Sequence, residues 1–377
     1  MSEIEAPLSS QPRRWIIKIG SSLITDHGAG LHHARLEQWC ADIMTLKANN
    51  IDVVLVSSGA IAEGCARLGF KTRPTASHLQ QAAAAVGQTG LVQAYESIFR
   101  AHGVHCAQIL LTHDELRDRQ RYLNARSTLQ TLLSLNVVPI VNENDTIATD
   151  EIRFGDNDTL GALVTNLVEA DRFIILTDQQ ALYTADPTKD KTATPIIEVF
   201  ADDPSLLDIA SSKSSSGLGS GGMYTKVLAA KLASRSGAAT YLVSGLEPKV
   251  LERLFNGEQI GTLFKPRQAP ISARKRWLAG QMKPCGQVFV DRGAVDKLIR
   301  EGKSLLAVGV YKVTGQFKRG DLVECYSRLN KKIAVGLINY SSDEVAILMG
   351  SGTSRMLELL GYLGEPELIH RDNLVIL

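Results

Sequence analysis

The chain has 377 residues, a formal net charge of +1, 44% hydrophobic residues and 21% charged residues. Its length exceeds that of one ordinary domain, and its composition is that of a folded protein with a sizeable core. The nearly neutral charge argues against a global attraction to nucleic acid or anionic lipid. Since no apolar run approaches the roughly 18–20 residues that cross a bilayer, we expect no membrane span.

Two further features predict a cytoplasmic location. Residues 1–12 lack the apolar core of a signal peptide and predict a mobile tail before the first strand. The five cysteines are widely spaced and contain no CxxC pair, so they indicate neither a disulfide framework nor a zinc site. We interpret them as buried or half-buried thiols in a reducing compartment. They are Cys40, Cys65, Cys106, Cys285 and Cys325.

The first part of the chain alternates apolar strand-like runs with helical patterns. Residues 14–19 (RWIIKI) predict a short strand that ends in the polar turn GSSL. Residues 31–49 carry apolar side chains at helical spacing, and the run IDVVLVSSG (51–59) predicts a second, almost wholly apolar strand. Such continuous apolar strands suit a parallel sheet that is covered on both faces.

The same alternation continues to about residue 264. The further predicted elements are a helix at 77–101, a strand at 104–111, a helix at 121–135, a strand at 136–145, a helix at 158–170 and a strand at 172–178. This order predicts an α/β domain over residues 13–264, with a mainly parallel sheet sandwiched by helices. Ligands of such folds bind beyond the carboxyl ends of the strands, so polar residues there are the first candidates for a site.

The pattern changes after Phe264. Residues 265–284 hold three prolines, six basic residues and no acidic residue, which predicts a basic linker. Beyond it, runs such as QVFVDRGAVDKLI and KKIAVGLINYS predict short strands with Gly-rich turns and one short helix. We therefore predict a small β-rich second domain at residues 285–377.

The segment SSGLGSGGMYTK (215–226) has the composition of a phosphate-binding loop. Flexible glycines let backbone N–H groups approach a phosphate, and Lys226, just inside the following helix, can reach the terminal phosphate. The G-x-G-x-x-G spacing at 217–222 is not a dinucleotide fingerprint, because it follows a Ser-rich loop rather than a strand. It is not a P-loop either, since Met223 occupies the position of the lysine. Taken alone, the segment is equally typical of a flexible connector.

Lys18 lies inside an apolar strand-like run, just before GSS. A lysine in this position is either exposed at the strand end or directed into the ligand crevice. The transition state of phosphoryl transfer spreads negative charge over the equatorial oxygens, so cations beside the moving group stabilise it. Lys18 and Lys226, one from each half of the domain, would contact that group from two sides.

The stretch VNENDTIATDEIRFGDNDTL (141–160) is rich in carboxylates and amides at the end of one predicted strand and the start of a helix. Six acidic residues lie between positions 142 and 158, against the single basic residue Arg153. A solvated turn is the common origin of such clusters, but these groups can also hold an amino group, a metal–water shell or an active-site lysine. Two further strand ends, VSSGAIAEG (56–64) and LTDQQALYTADP (176–187), offer polar groups that are weak signals by themselves.

Taken together and in this order, KIGSSL, VSSGAIAEG, VNEND with GDND, LTDQQALYTADP and SGLGSGGMYTK resemble the motifs of the glutamate 5-kinases in the amino acid kinase family. The segments AAVGQ (84–88) and YLNAR (122–126) add to this resemblance, which extends over nearly the whole chain. The predicted second domain is similar to the PUA domain that many bacterial members of the family carry.

The resemblance implies ATP-dependent phosphorylation of the γ-carboxylate of L-glutamate by direct in-line transfer, giving L-glutamyl 5-phosphate in the first step of proline biosynthesis. The implied catalytic set, in which an aspartate positions two lysines on the phosphoryl group, is Lys18, Lys226 and Asp158. The implied glutamate-binding residues are Ser58, Gly59, Asp145, Asp156 and Asn157. The implied ATP site contains Lys18, Thr177, Asp178, Ser220, Gly221, Gly222, Met223, Tyr224, Thr225 and Lys226.

The same resemblance implies that Mg²⁺ is carried mainly by ATP, so we assign no residue directly to the metal. It also implies proline as a feedback inhibitor and a homo-oligomer, either a dimer or a tetramer. Two residues depart from the family pattern. Ser220 stands where Thr is common, and its hydroxyl can do the same work. Tyr224 stands where a small residue is common, and its ring could narrow the nucleotide loop or lie outward over it.

Three alternatives remain open from the sequence. Kinases of N-acetylglutamate, aspartate, carbamate or UMP share the glycine-loop and lysine features, although NEND, GDND and the extra domain favour free glutamate. RNA binding by the second domain is less favoured than a structural or regulatory role, because residues 285–377 contain 12 Lys+Arg and 11 Asp+Glu. A non-catalytic amino acid sensor is the third alternative, and the presence of both lysines and Asp158 argues against it.

Overall fold

The computed structural model describes residues 13–25, 30–112, 115–116, 118–147, 157–211, 222–267, 284–362 and 364–376. The chain divides into two compact units. The N-terminal unit comprises Met1–Leu116 and Ala125–Pro270, and the C-terminal unit comprises Arg117–Asn124 and Ile271–Leu377. Each unit is built around its own sheet.

The domain limits derived from the sequence stay a prediction. The last strand of the N-terminal unit ends at Lys265, which is the first residue of the predicted linker. Residues 268–283 of that linker and the predicted tail at 1–12 lie outside the described residues. Residues 117–124, which the sequence places in the first domain, group with the C-terminal unit.

A mainly parallel sheet forms the centre of the N-terminal unit, as predicted. Its strands are β1 (Arg13–Ile19), β2 (Ile51–Ser57), β3 (Cys106–Leu111), β4 (Val138–Glu143), β5 (Arg172–Thr177), β6 (Glu198–Phe200), β7 (Ala239–Ser244) and β8 (Thr262–Lys265). Within the described residues they form one eight-stranded sheet in the order β3-β4-β2-β1-β5-β7-β8-β6. Neighbouring strands run parallel except for the antiparallel pair β7 and β8.

Helices connect most of these strands. The described helices before residue 268 are α1 (Ser21–Ile24), α2 (His33–Ala48), α3 (Ala60–Arg67), α4 (Ser77–Ala101), α5 (Arg119–Ser134), α6 (Asn157–Val168), α7 (Ser205–Ser211), α8 (Met223–Ala233) and α9 (Val250–Phe255). The four predicted helices α2, α4, α5 and α6 are confirmed to within a few residues. The short helix α1 occupies the segment that the sequence predicts as a polar turn after β1.

Large apolar side chains hold the central strands against the helices. Trp15 of β1, Trp39 of α2 and Tyr95 of α4 are buried in one hydrophobic cluster, together with residues from β2, β4 and β5. Burying a side chain of this kind stabilises the fold by about 1.5–3 kcal/mol or more. The carboxyl ends of the central strands are therefore held in fixed positions relative to one another.

The C-terminal unit has a separate sheet and core. Its strands are β9 (Gly286–Val290), β10 (Val310–Gly315), β11 (Leu322–Tyr326), β12 (Lys332–Leu337) and β13 (Leu374–Ile376), in the order β10-β9-β11-β12-β13. Its described helices are α10 (Arg292–Glu301), α11 (Ser342–Leu348) and α12 (Met356–Leu360). Val288, Phe317 and Ile338 belong to its buried cluster. This is the predicted β-rich architecture.

The prediction of one short helix in this region was wrong, since the described residues contain three. The start of helix α11 could have been predicted from the sequence pattern S-x-x-E at Ser341 and Glu344. These residues form a capping box in which each side chain accepts a hydrogen bond from the other residue's backbone N–H. Helix α12 has only five residues, which is too short for a periodic pattern. Among the helices described in both units, none is long and apolar enough to cross a membrane.

Candidate active site

The candidate site lies where four parallel strands end side by side. Strands β4, β2, β1 and β5 are consecutive and parallel, so their carboxyl ends share one edge of the sheet. Lys18 lies near the end of β1, where it pairs with Val56 of β2 and Ile175 of β5. Ser58 directly follows β2, and Thr177 is the last residue of β5.

One buried carboxylate holds two lysines together at this edge. Asp158 Oδ1 lies 2.6 Å from Lys18 Nζ, and Asp158 Oδ2 lies 3.1 Å from Lys226 Nζ. Asp158 is 0% exposed, Lys18 5% and Lys226 6%. Thr225 Oγ1 lies 3.1 Å from the same Asp158 Oδ2. The structure therefore brings together the three residues that the sequence assigns to the catalytic set, and we call them the charged triad.

Each member of the charged triad comes from an element that begins or ends at this edge. Lys18 is in β1, Asp158 is in the first turn of α6, and Lys226 is in the first turn of α8. Gly222 is the N-cap residue of α8. The first turn of a helix carries unsatisfied N–H groups and the positive end of the helix dipole, so both helices favour an anion here.

The charges of the triad also favour an anion. Burial by itself raises the pKa of Asp158, but the neighbouring Lys18 and Lys226 outweigh burial and lower the pKa to about 2. The carboxylate is therefore ionised at neutral pH. Among the described residues, the ammonium groups of Lys18 and Lys226 both contact the buried Asp158 carboxylate, and a phosphoryl group that enters there would be stabilised by both cations.

A cluster of amide side chains lies beside the charged triad. Asn157 Nδ2 lies 2.9 Å from Ser58 Oγ, and 2.8 Å from Asn142 Oδ1. It also lies 3.1 Å from the carbonyl oxygen of Ser57. Asn142 Nδ2 in turn donates to Gln88 Oε1 at 2.8 Å. Two predicted glutamate-binding residues, Ser58 and Asn157, are thus in direct contact, and Asn157 immediately precedes Asp158 in the chain.

Asp145 lines a cavity of about 250 Å³ at the end of β4. Gln88 of α4 and Glu143 of β4 line the same cavity. Carboxylate oxygens accept hydrogen bonds from an ammonium group, so these walls suit an amino group. Sequence analysis assigned no role to Gln88, and its place in the segment AAVGQ was the signal that could have identified it.

Gly59 shapes the turn between β2 and α3. It is the N-cap residue of α3 and has a φ of 100°, in the left-handed region that favours glycine. A Cβ atom at this position would lie 3.0 Å from Ile24 Cγ2. A larger residue would therefore strain the turn next to Ser58, which gives Gly59 a structural reason beside its predicted role in substrate binding.

The predicted nucleotide residues occupy the neighbouring strand end and the start of α8. Thr177 is buried, and its Oγ1 donates to Asp178 Oδ1 at 3.1 Å. Met223 and Tyr224 open α8. Tyr224 is 39% exposed, so part of its ring is open to solvent, and its effect on the nucleotide loop stays a prediction.

Three predicted site residues, Asp156, Ser220 and Gly221, lie outside the described residues. Their roles stay predictions. The individual roles of the other site residues also stay predictions, although the contacts described above place many of them together.

Comparison with known proteins identifies the family. The sequence profile of the amino acid kinase family matches residues 13–244, and that of the PUA domain matches residues 286–357. A glutamate 5-kinase of Chromohalobacter salexigens is 57% identical over 364 residues, which cover 97% of this chain and 96% of that protein. The chain belongs to the glutamate 5-kinases of the amino acid kinase family.

A second glutamate 5-kinase agrees with this membership. A glutamate 5-kinase of Thioalkalivibrio sulfidiphilus is 57% identical over 365 residues, which cover 97% of each chain. Among solved structures, the carbamate kinase of Giardia lamblia bound to AMP-PNP matches with 18% identity and a TM-score of 0.48, over 68% of this chain and 99% of that one. The resemblance found in the sequence, including the C-terminal PUA domain of this amino acid kinase, is confirmed.

Proposed function

We propose that this chain transfers the γ-phosphoryl group of ATP to the γ-carboxylate of L-glutamate, giving L-glutamyl 5-phosphate in the first step of proline biosynthesis. Membership of the glutamate 5-kinases supports this reaction. The observation that carries it is the charged triad, because Lys18 and Lys226 are both held within 3.1 Å of the one Asp158 carboxylate. Their ammonium groups are thereby fixed before any substrate arrives.

The triad suits the transition state of phosphoryl transfer. Negative charge spreads over the equatorial oxygens of the moving group, and fixed cations in a dry site stabilise it more than mobile ones in water. Lys18 and Lys226 would contact this group, while Asp158 would hold the two lysines in place. Removing one such group usually lowers the rate by about 10²–10³-fold.

The acceptor chemistry requires no general base. The γ-carboxylate of glutamate is already ionised at neutral pH. One of its oxygens bonds to the γ-phosphorus, the bond from that phosphorus to the bridging oxygen breaks, and ADP leaves with the electron pair. The protein therefore has to align two anions and reduce their repulsion, which is a task for positioned cations and N–H groups.

We assign the binding of glutamate to Ser58, Gly59, Asn157 and Asp145. The contact between Ser58 and Asn157 and the presence of Asp145 in the wall of the cavity support this assignment. An amino group needs acceptors, and Asp145 offers a carboxylate. We include Asp156 in the same proposal because of its position in the GDND segment of the sequence.

We assign the binding of ATP to Lys18, Thr177, Asp178 and the segment 220–226. The first turn of α8, which contains Lys226 and begins after Gly222, supports this assignment, since helix N-termini favour phosphate. Mg²⁺ is proposed to enter with the phosphates of ATP as part of the substrate. The ion would reduce the charge repulsion between nucleotide and acceptor.

Further proposals concern partners. We propose that proline inhibits the enzyme, that the enzyme is a homo-oligomer and that it acts in the cytoplasm, where ATP is supplied.

For the PUA domain we propose a structural or regulatory role. Lys312 lies over the ring of Phe289 at 4.9 Å and Arg328 over that of Tyr311 at 5.1 Å, so a cation covers one face of these two rings and leaves that face less open to stacking by an RNA base.

The test is to incubate the purified protein with MgATP and to follow ADP release, with hydroxylamine present to trap an acyl phosphate. Glutamate, N-acetylglutamate, aspartate and UMP are offered separately. We expect ADP release and a γ-glutamyl hydroxamate with glutamate alone. ADP release with a different acceptor would contradict the assignment of glutamate as the substrate. No ADP release with any of the four acceptors would contradict the kinase function and favour a sensor or an RNA-binding protein. An RNA gel shift at low salt would test RNA binding.

A further inference from the structure

Gln88 of α4 is a buried residue of the site to which neither the charged triad nor the predicted glutamate residues assign a task. It is 8% exposed, although its side chain carries both a hydrogen-bond donor and an acceptor. Its position is tightly fixed, because a Cβ atom on the preceding Gly87 would lie 1.8 Å from the carbonyl oxygen of Ala60. Helix α4 therefore approaches α3 as closely as a glycine allows.

The hydrogen bonds of the amide cluster decide which way the Gln88 amide faces. The backbone N–H of Glu143 lies 2.9 Å from Asn142 Oδ1, and a backbone N–H can only donate. The atom of Asn142 that faces it must therefore be its oxygen, and its nitrogen faces Gln88 at 2.8 Å. Gln88 must then present its oxygen to Asn142.

Among the residues that the structure describes, the nitrogen of Gln88 has no protein partner. Gln88 Nε2 is buried and has no hydrogen-bond acceptor in the described structure. A buried donor without an acceptor destabilises a fold, so such a group usually has a functional or solvent-related explanation. Because the Asn142 contact already fixes the Gln88 oxygen, rotation of the amide cannot satisfy this donor.

The walls of the neighbouring cavity indicate which group would satisfy it. Gln88 lines the cavity together with Asp145 and Glu143. An α-amino acid carries an ammonium and a carboxylate on the same carbon, so a ligand whose ammonium faces Asp145 brings its α-carboxylate into the same cavity. A carboxylate needs N–H donors, and Gln88 Nε2 is a buried donor that has no acceptor among the described residues.

We propose that Gln88 is a specificity-determining residue whose Nε2 donates a hydrogen bond to the α-carboxylate of the amino acid substrate. This inference rests on the proposed glutamate kinase function and adds to it a residue that recognises the end of the substrate opposite the reacting γ-carboxylate. Its prediction is selective: Gln88 distinguishes acceptors with an α-carboxylate from acceptors without one, and it does not act on ATP.

The test compares glutamate with 4-aminobutyrate, which is glutamate without its α-carboxylate. Gln88→Glu keeps an oxygen for Asn142 Nδ2 but removes the donor. Gln93→Glu makes the same chemical change at an exposed position of α4, outside the cavity. Binding is measured by calorimetry and does not depend on turnover, and thermal unfolding verifies that each variant is folded.

We expect the wild type to bind glutamate more tightly than 4-aminobutyrate, and Gln88→Glu to weaken glutamate binding by about 10-fold or more, the range of a hydrogen bond to a charged group. Its binding of 4-aminobutyrate and its KM for ATP should stay nearly unchanged, and Gln93→Glu should leave both ligands unaffected. If Gln88→Glu does not fold, Gln88→Met replaces it, since this variant also lacks the donor and adds no charge.

Equal weakening of both ligands would overturn the proposal, because it would mean that Gln88 only supports the shape of the cavity. Unchanged glutamate binding by Gln88→Glu would overturn it as well. In either case a wild-type protein that still phosphorylates glutamate would leave the proposed function intact. A wild-type protein that binds no glutamate would overturn the function and this inference together.

Discussion

Two buried aspartates of the N-terminal unit show how partners decide the charge of the same side chain. Asp158 is 0% exposed and Asp42, on α2, is 5% exposed. Burial taken by itself raises the pKa of both carboxyl groups, but their partners differ. At Asp158 the two lysines outweigh burial and lower the pKa to about 2. At Asp42 burial prevails, although Oδ2 accepts a hydrogen bond from the backbone N–H of Leu251 at 3.2 Å, and the pKa rises to about 6.

The difference separates a functional centre from a structural contact. The Asp158 carboxylate carries a full charge because two cations surround it, and its task is to hold those cations. Asp42 caps the start of α9 with one oxygen, and this task needs an acceptor but no charge. Changing each carboxylate to its uncharged amide should therefore have opposite effects.

The largest effect is expected for Asp158→Asn. The variant leaves Lys18 and Lys226 buried beside each other without their carboxylate, and removing one partner of a buried ion pair destabilises by about 3–5 kcal/mol. Phosphorylation of glutamate should fall below detection, and the urea midpoint should fall strongly. A variant with wild-type stability would mean that the triad does not carry the charges described here.

Lys226→Met should abolish turnover while the fold survives. Asp158 keeps Lys18 as a partner at 2.6 Å, so no charge is left alone in the interior. We expect kcat to fall by at least about 10²–10³-fold, measured by formation of γ-glutamyl hydroxamate. Lys231→Met, at a half-buried position in the last turn of the same helix, serves as the control and should keep its activity. Full activity of Lys226→Met would remove this lysine from the mechanism.

The two aspartates should also differ in their pH dependence. The folded-state pKa of Asp158 is lowered, so its stabilisation is present above about pH 4 and is lost as pH falls through about 2. The folded-state pKa of Asp42 is raised, so its stabilisation is present below about pH 4 and is lost as pH rises through about 6. Urea unfolding followed by tryptophan fluorescence measures both.

Asp42→Asn uses this difference. Asparagine keeps an oxygen for the Leu251 N–H and removes the buried charge, so the free energy of unfolding at pH 8 should rise by about 1–3 kcal/mol. The gain should disappear near pH 4, where Asp42 of the wild type is protonated. A variant that is less stable than the wild type at pH 8 would show that the Asp42 charge has a partner that stabilises it.

The smallest effect is expected for a carboxylate closer to water. Asp291 is the N-cap residue of α10 in the C-terminal unit, and its Oδ1 accepts from the backbone N–H of Ala294 at 2.8 Å. Asp291→Ala should lower the stability of that unit by about 0.5–2 kcal/mol, and Asp291→Asn should retain most of it. Thermal unfolding by circular dichroism compares the two, and equal losses would show that the charge, rather than the cap, matters.

The sequence predicted the first five strands and the four long helices of the N-terminal unit well, because a strand or a long helix depends on residues only a few positions apart. The apolar run at β2 and the helical spacing of α4 are examples. It gave no individual prediction for β6, β7 or β8. It predicted the helices of the C-terminal unit less well, since α12 is too short to show a period. Sequence analysis also identified Lys18, Asp158 and Lys226 as catalytic residues, but only because the motifs that contain them resemble those of a known family.

The sequence by itself determined an α/β kinase domain with polar residues at its strand ends, followed by a β-rich domain. Only the tertiary structure decided that Lys18, Asp158 and Lys226 share one buried contact. Along the chain, Asp158 lies 140 residues after Lys18 and 68 residues before Lys226. The same holds for the raised pKa of Asp42, whose backbone partner is 209 residues away, and for the direction of the Gln88 amide. A side chain's charge and the direction of its hydrogen bonds depend on what the fold places beside it, and local sequence does not contain that information.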